Sequence, residues 1–121
     1  MSYFTQDNTF VDAEDVSLHP SATRTASGTG SVVYETGPRR TLSLLLAVTA
    51  ASGDTPTLDV TVQTSHDGTT FRTLGTFTQA TGVTSERKGF GGADRFVRVV
   101  WTAAAATGAP SFTFAVTGEA V

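Results

Sequence analysis

The sequence contains no cysteine, one methionine and only two histidines, His19 and His66. Without cysteine, the chain can form neither disulfides nor thiolate metal sites, so its stability must come from packing or from assembly with partners. Two histidines that lie far apart in the sequence do not provide a usual zinc ligand set. The composition therefore predicts no metal and no cofactor.

Common helix formers are also scarce: Lys88 is the only lysine, while threonine accounts for about one residue in five. Strand and turn formers dominate instead, and this composition predicts an all-β fold. No segment is apolar over the length of a membrane span, and no basic start followed by an apolar run marks a signal peptide. We expect a soluble, unprocessed chain that does not bind a membrane.

Basic residues are few and scattered, with eight Lys and Arg against eleven Asp and Glu and a net charge of -3. A nucleic-acid interface requires a clustered basic face, so none is predicted. The adjacent basic pairs are Arg39-Arg40 and Arg87-Lys88, each beside glycine in an expected loop. These pairs are interpreted either as solvated loop ends or as contacts for an acidic partner surface.

A chain of 121 residues favours one domain. Residues 1–20 contain four acids and no base in their first fifteen positions, with Phe4 and Phe10 scattered among them at neither strand nor helix spacing. We predict an extended N-terminal arm at residues 1–20, which folds on its own domain or orders on a neighbouring subunit, and a β-sandwich at residues 21–121.

Period-2 alternation predicts the core strands of this sandwich. The inward residues are expected to be Leu42, Leu44, Leu46 and Val48; Leu58, Val60 and Val62; Val97, Val99 and Trp101; and Phe112, Phe114 and Val116. Glycine-rich turns separate the segments, and a β-bulge is expected at Gly75. About eight strand candidates at this spacing favour a single-domain antiparallel sandwich or barrel.

The segment His66-Asp67-Gly68 could begin a catalytic or metal site, or it could form the corner of a hairpin. It follows the alternating run at residues 58–63, and Asp-Gly supplies residues that tolerate the positive φ of a tight turn. An extended run resumes at Thr69. The hairpin corner accounts for all three residue types.

Two quoted segments, "VTVQTSHDGTTFRTLGTF" and "DRFVRVVWT", resemble the discoidin or galactose-binding jelly roll. That family combines a strand, an S-x-D-G-x-x-aromatic turn and a later R-[FY]-V-R strand. The resemblance covers about a third of the chain and implies a jelly-roll fold, with glycan binding by loops at one end as an alternative function. A glycan is thus one candidate ligand.

A longer resemblance includes "RTASGTG", "RTLSLLLAVTAASGDTPTLDVTVQTSHDGTTF", "GTFTQATG", "ERKGF", "RFVRVVW" and "PSFTFAVTGEAV". Together these segments resemble small virion structural proteins of tailed bacteriophages. The resemblance implies a capsid decoration or minor head protein, made in the host cytoplasm and located on the capsid surface. Its expected partners are the major capsid protein and copies of itself, and a neck or tail location is the alternative. The expected contact residues are Phe4, Phe10, Asp12, Asp15, Arg39 and Arg40.

Enzymatic activity is not predicted. The acids lie in turns and in the arm without an evident facing pair, and no nucleophile-elbow motif is present. Asp12, Glu14 and Asp15 lack the spacing and glycine of a calcium loop, so solvated charge is the expected role of these acids.

Overall fold

The computed structural model describes the backbone at residues 2–4 and 10–121 and the side chains from residue 13 onward. Within these residues it contains strands and turns but no helix. The strands are β1 (Ser2–Phe4), β2 (Phe10–Asp12), β3 (Glu14–Arg24), β4 (Gly28–Thr29), β5 (Tyr34–Glu35), β6 (Thr41–Ser52), β7 (Thr57–Ser65), β8 (Arg72–Thr76), β9 (Thr84–Gly91), β10 (Phe96–Ala104) and β11 (Ser111–Ala120).

Two antiparallel sheets form a β-sandwich. One has the strand order β3-β11-β6-β9, and the other has the order β4-β10-β7-β8, with β5 also paired to β10. Apart from the β7–β8 hairpin, each successive strand from β3 crosses to the other sheet. When β4 and β5 are counted as one interrupted strand, this is the connectivity of an eight-stranded jelly roll. The predicted fold class is confirmed.

The core lies between the sheets and follows the predicted alternation. Each of the thirteen predicted inward residues on β6, β7, β10 and β11 is buried, with at most 5% of its surface exposed. Their neighbours along the strands point outward, because successive side chains of a strand alternate between faces. The structure adds further core residues from β3, β9, the loops and the end of β11: Val16, Leu18, Phe77, Ala80, Phe90, Ala93 and Ala120.

The N-terminal boundary differs from the prediction. Residues 14–20, which were assigned to the arm, belong to β3, which pairs with β11 from Glu14 onward. The strand was missed because its register with β11 shifts near His19, where two successive residues, Leu18 and His19, are both buried. This irregularity removes the strict period 2 on which strand prediction depends.

Two glycines permit close packing inside the sandwich. The β7–β8 register shifts between Thr73 and Gly75, as the predicted bulge requires, and a Cβ at Gly75 would lie 2.7 Å from the Phe90 ring. At Gly118 on β11, a Cβ would lie 1.9 Å from the main-chain oxygen of Ser43 on β6. Larger residues at these positions would force the neighbouring strands apart.

The structure corrects two smaller predictions of secondary structure. The segment "SVVYE" was predicted as a strand, but only Tyr34 and Glu35 pair with β10, and Val33 is 46% exposed. The alanine run at residues 103–106 was predicted as a loop, whereas Ala103 and Ala104 continue β10 by pairing with β7. Cross-strand hydrogen bonding outweighs the helical composition of this run.

Candidate functional site

Residues Phe4, Phe10 and Asp12 lie on the β1–β2 hairpin, in which Phe4 pairs with Phe10 and Ser2 pairs with Asp12. This hairpin is a two-stranded sheet of its own and is not part of either sandwich sheet. The side chains of these three predicted contact residues lie outside the described residues. The hairpin immediately precedes β3, so it is attached at the end of the sandwich where β3 begins.

Asp15 lies at that end, on the outer face of the four-stranded sheet. It pairs across the strands with Glu119, so two carboxylates are direct neighbours on one face. They line a shallow groove of about 500 Å³ together with Ser17, Arg87 and Thr117, called here the acidic groove. Two like charges directly opposite each other destabilise the pairing of their strands. The groove is also lined by a cation, Arg87.

Arg39 and Arg40 lie in the loop at the same end of the sandwich. Arg39 forms an ion pair with Glu14 at 3.7 Å, and its side chain is only 18% exposed. Arg40 donates from Nη1 to the Thr36 hydroxyl at 3.0 Å and to the main-chain oxygens of Gly37 and Arg39. Both arginines therefore organise this loop, a role that neither sequence interpretation had anticipated.

A tyrosine lies beneath this loop. The Tyr34 hydroxyl is buried and makes no hydrogen bond of normal geometry to a described residue. Burial, followed by the neighbouring carboxylate of Glu14, raises the pKa of Tyr34 to about 12. The phenol therefore stays protonated at neutral pH.

The main chain joins the loop to the last strand. The Arg40 N–H donates to the Val121 carbonyl at 3.0 Å, so the loop lies beside the end of β11. Of the six predicted contact residues, the structure thus brings Asp15, Arg39 and Arg40 to one end of the sandwich. Sequence spacing did not predict this proximity, since it depends on pairing between strands that are distant in the chain.

The segment at residues 65–71 is a hairpin corner. The Asp67 carboxylate accepts hydrogen bonds from the Thr69 and Thr70 N–H groups, each at 2.9 Å, and from the Ser65 hydroxyl at 2.8 Å. Gly68 adopts a φ of 77°. The two N–H groups, and next the Ser65 hydroxyl, hold the pKa of Asp67 well below its usual value of 3.8. The turn accounts for the motif, as the sequence predicts.

The segments "VTVQTSHDGTTFRTLGTF" and "DRFVRVVWT" meet at this corner. The Arg98 guanidinium lies 3.8 Å from the centre of the Phe71 ring, and its Nε donates to Gln63 at 2.9 Å. The Thr64 hydroxyl donates to the Phe96 carbonyl at 2.9 Å and accepts from the Asp94 N–H at 2.8 Å. These contacts connect the hairpin corner to β10 and give both motifs a structural role.

A second cluster of side chains, formed around His19, was not predicted from the sequence. Arg24, at the end of β3, donates from Nε to His19 Nε2 at 3.0 Å and lies 4.9 Å from the centre of the Trp101 ring. His19 is 1% exposed and stacks on Phe114 with ring centres 4.1 Å apart. No sequence signal pointed to this cluster, because Trp101 comes from a strand in the opposite sheet.

Trp101 closes the outer side of this cluster. Its indole Nε1 donates to the Ala26 carbonyl at 2.9 Å, and a Cβ at Gly28 would lie 2.8 Å from its ring. With residues 23–29 it lines a groove of about 370 Å³, called here the tryptophan groove. Trp101 is only 5% exposed, so its ring face is not available for stacking on a sugar.

The histidine in this cluster is neutral, as its geometry shows. A guanidinium can only donate, so His19 Nε2 accepts from Arg24 and Nδ1 carries the hydrogen, which it donates to the Phe114 carbonyl at 3.1 Å. Burial, and next the positive charge of Arg24, hold the pKa of His19 below its ordinary value of 6.5.

In the described part of the chain, no group of three or more His, Asp or Glu residues is arranged to hold a metal ion. Over the same residues, no helix is long and apolar enough to cross a membrane. Compared with known protein families and with curated protein sequences, the chain matches none.

Proposed function

We propose that the protein is a structural component of a tailed-bacteriophage virion, made in the host cytoplasm, that binds the assembled capsid and stabilises it. The observation that carries the proposal is the β1–β2 hairpin, which is a sheet separate from the jelly roll. Among the described residues, the two sheets of the jelly roll begin at Glu14. A segment that its own domain does not use for strand pairing is available to a neighbouring subunit. The sequence resemblance to phage virion proteins supports a capsid subunit as that neighbour.

The proposed contact surface is the end of the sandwich where the hairpin is attached. Phe4 and Phe10 supply apolar contact area, and Asp12 and Asp15 supply negative charge for a basic patch on the capsid. Arg39 acts here as a positioning residue, since its ion pair with Glu14 fixes the base of the hairpin at the start of β3. Arg40 holds the loop that carries Arg39.

Stabilisation of a shell by such a protein follows from mass action. A ligand that binds the assembled lattice better than free subunits shifts assembly toward the lattice, and many weak contacts act together. Copies of this chain that touch one another on the capsid would add to the effect. A small jelly roll suits this role, because its contacts are made by side chains on an already folded scaffold.

The first experiment counts copies of this chain per copy of the major capsid protein in purified particles, by quantitative mass spectrometry. A ratio near one, or near a simple fraction of one, is expected for lattice-wide decoration. A handful of copies per particle would move the protein to the neck or tail, and absence from particles would refute the proposal.

The second experiment tests the hairpin. A variant that lacks residues 1–12 keeps all of β3, so it should fold, and its binding to capsids stripped of this protein is measured by co-sedimentation. Binding should fall at least tenfold, as expected when a contact worth about 1.4 kcal/mol or more is lost. Val83→Ser is the control and should bind normally, since Val83 is 71% exposed and precedes β9 at the end of the sandwich opposite the hairpin. Equal binding by the deletion variant and the full chain would exclude the hairpin as the contact.

One alternative has an observation in its favour, namely a carbohydrate-binding module on the particle surface. The corner at residues 65–71 places Phe71, Arg98 and Gln63 side by side on the outer face of the five-stranded sheet. However, the Arg98 guanidinium covers the Phe71 ring, which leaves that ring less available for stacking on a sugar. Titration with glycan and cell-wall preparations tests this alternative, and the absence of binding at millimolar ligand would reject it.

A further inference from the structure

The tryptophan groove contains an arginine whose charge is not balanced by a carboxylate. The ion pairs among the described residues are Arg39 with Glu14, Arg72 with Asp94 and Arg95 with Glu35. Arg24 takes part in none of them. Its only hydrogen bond to a described residue is made by Nε, so neither Nη nitrogen has an acceptor among the described residues.

Arg24 is nevertheless held in a fixed position. His19 accepts a hydrogen bond from its Nε, and its guanidinium carbon lies 4.9 Å from the centre of the Trp101 ring. His19 is itself fixed by its hydrogen bond to the Phe114 carbonyl and by stacking on the Phe114 ring. An arginine oriented in this way has lost most of its side-chain freedom before any ligand arrives, which lowers the entropic cost of binding.

The rest of the groove is lined by hydrogen-bonding groups. Residues 23–29 contribute several hydroxyls, and those of Thr25 and Thr29 make no hydrogen bond to a described residue. Hydroxyls can donate to an anionic oxygen beside the guanidinium. No acidic side chain lines the groove, so nothing in its wall competes for Arg24.

We propose that Arg24 and the tryptophan groove bind a carboxylate group, with the Arg24 Nη nitrogens as the principal donors. A guanidinium matches the planar, singly charged carboxylate through two parallel hydrogen bonds. Phosphate fits less well, because its second negative charge would meet only one cation on a chain of net charge -3. This assignment does not depend on the proposed virion function.

The chain contains a built-in reporter, since Trp101 is its only tryptophan. Sodium acetate is titrated into the full chain at pH 7.5 and constant ionic strength, with sodium chloride as the balancing salt, while tryptophan fluorescence is followed. We expect a saturable change with a dissociation constant on the order of 10 mM, as one charge-assisted contact to a small ligand implies. Blocked glutamate, compared with blocked glutamine, distinguishes an acidic side chain from a free acid as the source of the carboxylate.

Arg24→Gln should abolish the fluorescence response, and Arg24→Lys should weaken binding at least fivefold because the paired donor geometry is lost. Arg98→Gln is the matched control: it removes another arginine that lies on an aromatic ring and lacks a carboxylate partner, and it should leave the response intact. Circular dichroism checks that each variant is folded. The Arg24 Nε–H resonance of the unmodified chain provides a second readout that needs no variant, and it should shift on addition of acetate.

Four results would overturn the proposal. Chloride alone could give the same response as acetate, which would indicate charge screening. Arg24→Gln could retain the response while folded, or the Arg24 Nε–H resonance could stay unmoved at saturating acetate. Tighter binding of inorganic phosphate than of acetate would overturn the assignment to carboxylate.

Discussion

The His19 cluster makes a specific prediction about acid stability. In the folded chain His19 is neutral, buried and hydrogen-bonded at both ring nitrogens. In the unfolded chain its ring takes up a proton near the ordinary pKa of 6.5. Because the unfolded state binds the proton more readily, the free energy of unfolding must fall as the pH drops below 6.5.

The magnitude follows from linkage. While the folded state excludes the proton, each pH unit below 6.5 costs up to about 1.4 kcal/mol of stability, and the loss ends at the lowered pKa of the folded state. Protonation in the folded state would require Nε2 to give up the Arg24 hydrogen bond and would place two cations side by side in a buried site. The stability is therefore fully present above pH 6.5 and is lost in the window below it.

The assay is urea unfolding at pH 7.5, 6.5 and 5.5. His66→Gln serves as the background, since it leaves His19 as the only histidine. From pH 7.5 to 5.5 this variant should lose up to about 1.4 kcal/mol of unfolding free energy, with an unchanged dependence on urea. Adding His19→Gln should remove the decline whatever its effect on stability at pH 7.5. A flat profile with His19 present, or an equal decline in the double variant, would refute the reasoning.

Two further predictions concern the strands and the hairpin corner. Gly118→Ala should lower the free energy of unfolding by at least about 1–3 kcal/mol, because the added Cβ meets the Ser43 carbonyl. Gly89→Ala, on the same sheet, is the control. Its added Cβ meets nothing within 4 Å, so this variant should be neutral or slightly stabilising. Thermal unfolding compares the two variants, and equal midpoints would contradict the register of β11 on β6. Asp67→Ala should lower the unfolding midpoint at pH 7, and its difference from the unmodified chain should shrink as the pH falls below 3.8. The stability that the lowered pKa of Asp67 confers is fully present above that value and is lost progressively as the pH falls toward the pKa of the folded state. A difference that persists unchanged at pH 2 would contradict this assignment.

The jelly roll was predictable because most of its core obeys a local rule. A strand with one buried face alternates in sequence, and β6, β7, β10 and β11 all do so. The hairpin corner was predictable for the same reason, since Asp67 and Gly68 satisfy turn geometry within a few residues. Signals of this kind require no knowledge of which strands become neighbours.

The features that escaped prediction depend on contacts between distant residues. Strand β3 is concealed by a register shift at His19, which only its partner β11 defines. Arg24 and Trp101 lie 77 positions apart in the sequence and meet across the sandwich. The pairing of Glu14 with Arg39 likewise depends on the fold, so the predicted arm was too long and the role of Arg39 was missed.

The edge strands of both sheets indicate which surfaces of the molecule can bind a partner. Strand β3 carries Pro20, which lacks an N–H, and β9 carries Arg87 and Lys88. On the other sheet β8 is short and bulged, and β4 and β5 have two residues each. All four features disfavour the addition of a foreign strand. A partner is therefore more readily bound through the hairpin, the outer faces or the grooves, where side chains rather than open backbone make the contact. This is why substitutions of Arg24 and deletion of the hairpin are more informative tests of binding than changes to an edge strand.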